Sequence, residues 1–458
     1  MNRHIFGCVA IGLVAVTVGG CAGPRQVAPV AASLTPPAHW RGQAGEGMLS
    51  PDWWRGFNDP VLDRLVETAL ANNTDIAIAA ARVEEARAQF RISEGALLPT
   101  VGANAGGSYA RALSAATGLP VTQTAGQAGL QVSYEVDLFG RLRNASAAAR
   151  AALAGSEANR EAVRLSVAAA TASGYVTLRG LDARLTLLRD TLATREKALA
   201  SARHRAQTGY SPRLELEQAD AEYQAAAQLI PVTELAIRRQ EDALSLLLGD
   251  NPRVIERGAA FDALTPPSVP VSLPSQLLRR RPDIAQAEAQ LAAADRSLDV
   301  ARAAFLPVFN LTASGGVVGS DLLPRNYDVF SLGGSVLQPL FQGGRLTANA
   351  DAAASRRDQA AFAYRKTALN AFREVEDGLA AVDGLGQQEA VLVRQRDALA
   401  QTYSMAQKRF GAGYSPYLEQ IDAQRALLQT ELLLIQARSD RLNATITLYQ
   451  ALGGGYQN

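Results

Sequence analysis

Gly209-Tyr210-Ser211-Pro212 decides the reading of this chain, because the same tetrapeptide returns 204 positions later as Gly413-Tyr414-Ser415-Pro416. Other landmarks keep the interval: Arg141 with Arg345, Gly174 with Gly378, Gly180 with Gly384, and Leu248-Gly249 with Leu452-Gly453. Upstream the interval is 208, since Asp75-Ile76 matches Asp283-Ile284 and Pro99 matches Pro307, so the copies differ by four residues between Pro99 and Arg141. Solenoid repeats have periods of about 20–50 residues. The longer interval here marks a duplicated half-domain.

Each tetrapeptide reads as a turn between helices. Glycine supplies a left-handed cap, and serine then proline supply the N-cap and first position of the next helix. A tight helical turn accounts for glycine, serine and proline but does not require Tyr210 or Tyr414; aromatic residues at a loop tip suit a docking surface. Before the turns, 141–208 and 345–410 lack proline and are rich in alanine and leucine. Each would reach about 100 Å as a straight helix, with Gly174, Gly180, Gly378 and Gly384 marking a midpoint for a kink or a change of packing. The returning helices are 213–248 and 417–452, and Pro231 bends only the first.

Between an earlier helix in each half and these long ones, the period changes from 3.6 to 2. Val101, Ala103, Ala105 and Tyr109 alternate with Thr100, Asn104 and Ser108; Ala128, Leu130, Val132, Tyr134, Val136 and Leu138 alternate with Gln127, Gln131, Ser133, Glu135 and Asp137. Phe309, Leu311, Ala313 and Val317, then Phe330, Leu332, Val336 and Leu340, repeat the pattern in the second half. Each half therefore carries a hairpin of strands about 10–12 residues long, as a tilted membrane strand requires. A half-buried soluble sheet is the alternative. Four strands are too few to close a membrane barrel, and an open edge cannot face lipid, so a membrane reading requires partners from other copies.

Charge excludes other classes. Without Arg3, which leaves with the N-terminal segment described next, 44 basic residues face 44 acidic ones, giving no footprint for nucleic acid. His4, His39 and His204 are too scattered for a histidine metal site, and no HExxH, P-loop, GxGxxG or GxSxG pattern stands in a suitable context. No enzyme, metal or cofactor is expected. Residues 1–20 read as an export signal, with Arg3 before an apolar run from Ile5 to Val18. Val18-Gly19-Gly20-Cys21 resembles a bacterial lipobox, which implies acylation of Cys21 and an anchor of more than one acyl chain; the alternative is an ordinary signal with an incidental cysteine. By the same resemblance, Ala22 after the cysteine fits retention in the outer membrane. Residues 21–58 form a linker whose Trp53 and Trp54 are expected to pack on the body, the alternative being an anchor at a membrane interface. Repeats follow at 59–249 (hairpin 99–138, helical hairpin 141–248) and 275–458 (hairpin 306–341, helical hairpin 345–452), joined by a proline-rich linker at 250–274.

These features resemble the TolC-like outer-membrane efflux factors, in particular their lipoprotein branch. The resemblance rests on the lipobox, Asp52 to Pro60 (DWWRGFNDP), Arg279 to Ile284 (RRRPDI), Asp137 to Arg141 (DLFGR) with Pro339 to Arg345 (PLFQGGR), and the paired tips. It implies a mainly α fold with a membrane β-barrel: a homotrimer whose four strands per chain close a 12-stranded barrel and whose helical hairpins form a periplasmic tunnel. It also implies a passive exit duct in the outer membrane, docked by a periplasmic adaptor protein and fed by an inner-membrane efflux pump. By match, Leu418 and Asp422 form the periplasmic gate, while Leu214 and Gln218 stand at the equivalent positions of the first copy. A solvated aspartate on a helix face is the plainer alternative for Asp422. Arg205 and Arg409, with both tetrapeptides, are the candidate adaptor contacts. Glu135 and Asp137 are candidate lumen-facing acids that would favour cations. Two alternatives stand beside small-molecule efflux: a duct for type I polypeptide secretion, and an envelope lipoprotein that transports nothing.

Overall fold

The computed structural model describes residues 29–41, 49–209, 212–269 and 274–456. The signal 1–20, Cys21, Tyr210 and Ser211 lie outside them. Two helices, α1 (Pro60–Asn72) and α2 (Thr74–Gly95), precede β1 (Thr100–Leu113) and β2 (Pro120–Val136). Then come α3 (Arg141–Gln207), α4 (Arg213–Ala227) and α5 (Leu229–Leu247). The second half repeats the order with α6 (Pro274–Arg280), α7 (Pro282–Ala303), β3 (Val308–Ser320), β4 (Tyr327–Leu337), α8 (Arg345–Gly411) and α9 (Tyr417–Ala451).

The chain divides into two compact units. One contains Arg82–Glu157 and Gln286–Arg365, hence all four strands. They form an antiparallel sheet in the order β1-β2-β3-β4, so β1 and β4 are both edges. The duplication is visible in the register: Thr100 faces Ser133, and their counterparts Val308 and Leu337 face each other likewise. Strands of 14 and 17 residues make the first hairpin taller than the second, whose strands have 13 and 11. The four-residue difference between the copies thus falls at the hairpin tip. The first pair also exceeds the strand length expected from alternation, because small and polar residues near the tip pair through their backbones without keeping the apolar pattern.

The other unit contains Thr35–Ala81, Ala158–Ala285 and Lys366–Asn458. Pro60 opens α1 behind Asp59, whose Oδ1 accepts from the Val61 and Leu62 amides. The same carboxylate, fully buried, also accepts from the Tyr175 hydroxyl at 2.8 Å and the Ala259 amide at 3.0 Å. The proline-rich linker is therefore docked, not loose: Ile255 and Leu264 are buried, and Arg257 binds Asp182 and Glu241. Trp53 and Trp54 are buried, Trp53 stacked on Tyr449 at 5.3 Å.

The kink expected at the helical glycines needs correction. The four helical glycines interrupt neither α3 nor α8, each continuous for 67 residues. A Cβ on Gly174 would come within 2.9 Å of Leu244, and one on Gly378 within 3.1 Å of Leu448, its duplicate. Glycine here permits close helix approach. Pro231 does coincide with a division, between α4 and α5 at Gln228, because it cannot donate an amide to the preceding turn. The equivalent α9 runs unbroken for 35 residues.

Candidate functional site: the helical tips

Both tips close by the same backbone device. α3 ends before Gly209 at φ +71°, and α8 before Gly413 at φ +79°, angles that glycine adopts without a Cβ clash. At the second tip the Tyr414 amide donates to the Arg409 carbonyl and the Gly413 amide to that of Phe410. The prolines sit one place earlier than expected: Pro212 and Pro416 are themselves the N-caps, at extended backbone angles. Ser415 consequently does not cap, and its Oγ is buried without a hydrogen bond.

The duplication also places an ion pair across each tip. Arg205 lies 3.8 Å from Glu215, and Arg409, 204 positions later, lies 3.6 Å from Glu419. Their exposures differ. Arg205 is also held 4.8 Å over the Phe410 ring, with its side chain 28% exposed, whereas the Arg409 side chain is 59% exposed. Tyr414 projects with 80% of its surface open. Phe410 tilts against Tyr417, which joins Leu199, Ala202, Ala219 and Ile421 in a small core under the tips. Burial, reinforced by the nearby Glu222 charge, raises the Tyr417 pKa.

Beside that core lies a charge chain absent from the sequence reading. Arg195 and Glu222, both almost fully buried, are 3.0 Å apart, and Arg195 also donates to the Glu222 carbonyl at 2.6 Å. Burial lowers the Arg195 pKa against the attraction of Glu222. Glu222 accepts a second guanidinium, Arg425, through Nε at 2.7 Å. Arg425 in turn lies 3.7 Å from exposed Asp422. The chain thus runs from surface to interior across three helices: Asp422 and Arg425 on α9, Glu222 on α4, Arg195 on α3. A signal for it was present. The duplicates of Arg195, Glu222 and Arg425 are Leu399, Ala426 and Ala221, so all three charges break the repeat just as Asp422 does against Gln218. Leu418, one turn before Asp422, is half-exposed.

Glu135 and Asp137 are both engaged. Arg141 grips Glu135 through Nη2 at 2.6 and 2.8 Å, and Asp137 accepts the Leu142 and Arg143 amides at the start of α3. These amide bonds and Arg143 outweigh the burial that would raise it, and lower the Asp137 pKa. No three-residue cluster suited to a metal occurs among the described residues, and no helix there is long and apolar enough to cross a membrane.

Comparison with known proteins agrees with this architecture. The family model for outer membrane efflux proteins matches twice, over residues 65–250 and 273–454, once per repeat. The solvent efflux pump outer membrane protein SrpC of Pseudomonas putida is 37% identical, covering 87% of this chain and 86% of its own. SilC of Salmonella typhimurium, described as a probable outer membrane lipoprotein, is 34% identical over 94% of this chain and 93% of its own. The structure of the outer-membrane channel OprN superposes with a TM-score of 0.87 at 26% identity, covering 94% of this chain and all of that one. Sequence and fold together make this chain a member of the outer membrane efflux protein family, an outer-membrane channel component of efflux.

Proposed function

We propose that the chain is a passive duct gated at its helical tips, assembled from three copies and completed by a periplasmic adaptor and an inner-membrane pump. The observation that carries the gate is the charge chain Asp422-Arg425-Glu222-Arg195, which links the second copy to the first, beside half-exposed Leu418. Three copies of Asp422 around a narrow axis would repel one another or hold a cation, and Arg425 offsets part of that repulsion within each chain. Leu418 supplies an apolar ring one turn away. Opening requires α9 to move relative to α4, and the Arg425–Glu222 contact resists that movement.

The tips divide their labour in this reading. Arg205 holds the two turns together through Phe410 and Glu215, while Arg409 and Tyr414 offer an open cation and ring to the adaptor. Gly209, Pro212, Gly413 and Pro416 shape the turns, and Ser415 packs inside. Cargo is supplied by the pump, and small molecules are the favoured class, as for the solvent-efflux relative. Glu135 and Asp137, already neutralised by Arg141, Arg143 and amides, contribute little to cation preference. Single-channel recording in planar bilayers tests the gate. Wild type should give a small, intermittent conductance and Asp422→Ala a larger, steadier one. Equal conductance would remove Asp422 from the gate, and silence from both would overturn the duct.

A further inference from the structure

Arg111 and Asp328 are the two charged residues that interrupt the apolar face of the sheet. Arg111 follows Val101, Ala103, Ala105 and Tyr109 on β1 and precedes Leu113; Asp328 precedes Phe330, Leu332 and Val336 on β4. Both lie towards the hairpin tips, on opposite edge strands, and both are exposed. Among the described residues neither has an ion-pair partner, and Phe330 beside Asp328 is 86% exposed. An unpaired charge on a lipid-facing strand carries a cost that falls towards the membrane interface, so each gains from a partner.

The duplication supplies the register in which they can meet. Inside the chain, β2 of the first repeat pairs with β3 of the second, with Gly126 opposite Gly319, Ala128 opposite Val317 and Val132 opposite Ala313. Between copies, β4 ends one repeat and β1 of the next copy begins another, so this seam is the same junction of repeats. Moving β2 forward by 204 gives β4, and moving β3 back by 208 gives β1, the intervals that reproduce the β1·β2 register in β3·β4. The transformed pairs are Phe330 opposite Arg111, Leu332 opposite Tyr109 and Val336 opposite Ala105 of the neighbouring copy. Asp328 is two residues from Phe330 on the same face, and is therefore diagonal to that Arg111. Diagonal neighbours lie within reach of a long side chain.

We propose that Asp328 of one copy and Arg111 of the next form an ion pair across the seam between copies, with Arg111 over Phe330, and that this pair fixes the register in which the sheets join. The inference rests on the three-copy barrel reading. A pair shielded by apolar neighbours on a membrane face selects against slipped registers, because a shift by two residues strands both charges in an apolar setting. The internal seam needs no such device. Its counterparts are Thr124 and Gly319, and there the Asp321 carboxylate accepts the Thr124 amide at 3.0 Å while the Asp321 amide donates to the Thr124 carbonyl. The chain's own connectivity already aligns those strands.

Two measurements on the full-length protein in detergent test this. Ala105→Cys with Val336→Cys should yield disulfide-linked chains on a denaturing gel, and the slipped pair Ala103→Cys with Val336→Cys should not. Linkage by the slipped pair alone would overturn the register. Sedimentation as a single chain would overturn the three-copy reading itself, whereas an intact trimer that neither pair links would overturn only the seam. Charge reversal tests the ion pair: Arg111→Glu and Asp328→Arg should each lower the temperature at which the trimer separates by a few degrees, and the double exchange should restore it. If Arg111→Glu destabilises but the exchange does not rescue, Arg111 serves an anionic lipid headgroup instead, and the pair is refuted.

Discussion

Glu222 is the residue on which two arginines of unequal burial depend. Arg195 is 4% exposed and, among the described residues, has no other carboxylate within an ion-pair distance, so Glu222→Gln leaves a buried guanidinium without its countercharge. The expected loss is about 3 kcal/mol, read as a lower midpoint of thermal unfolding. Arg425→Gln removes a partner whose side chain is 56% exposed and should cost under about 1 kcal/mol. Asp422 was singled out by the family resemblance, with Gln218 in its place in the first copy; Glu222, Arg195 and Arg425 break the repeat in the same way but were overlooked. The reason is physical. Lone charges in an alanine-rich helix read as a solvated face, and only the packing of three helices brings these together.

At the scale of elements, the duplicated glycines carry different loads. Gly174 meets Leu244 and Gly378 meets Leu448, but Gly384 meets nothing within 4 Å. Gly174→Ala should therefore cost about 1–3 kcal/mol through overpacking. Gly384→Ala should instead stabilise by up to about 1 kcal/mol, since it only restricts the unfolded backbone and favours helix. Paired thermal melts of the two variants check this opposition of sign. Helix existence, strand existence and the Pro231 division were legible because periodicity and proline act locally. The role of the glycines was not, since a kink and a close approach leave the same mark in sequence and differ only in what lies opposite.

At the scale of the whole molecule, the repeat was the most informative feature of the sequence: its tetrapeptide marked the tips, and its change of interval confined the four-residue difference to the stretch between Pro99 and Arg141. The docking of the linker was hidden, for its prolines suggest a spacer while Ile255, Arg257 and Leu264 act through distant partners. A protease site inserted between Val269 and Pro274 probes that docking. Cutting the folded protein should leave its trimer and melting temperature little changed, since Arg257, Ile255 and Leu264 remain on the retained side. Refolding of the cut protein should become strongly dependent on concentration, measured as recovered trimer against dilution.

That contrast follows from the β2·β3 seam, which joins the two repeats within a single chain. Tethering makes this junction a first-order event governed by an effective concentration set by the connection, in place of a collision between separate bodies. A barrel of the same strands built from single-repeat chains would gather twice as many bodies, each surrendering translational and rotational freedom. Joining the two repeats in one chain therefore acts as an assembly aid written into the sequence: in a three-copy barrel half of the junctions form at a rate indifferent to expression level, and only the remaining half need a code that lets like chains recognise one another.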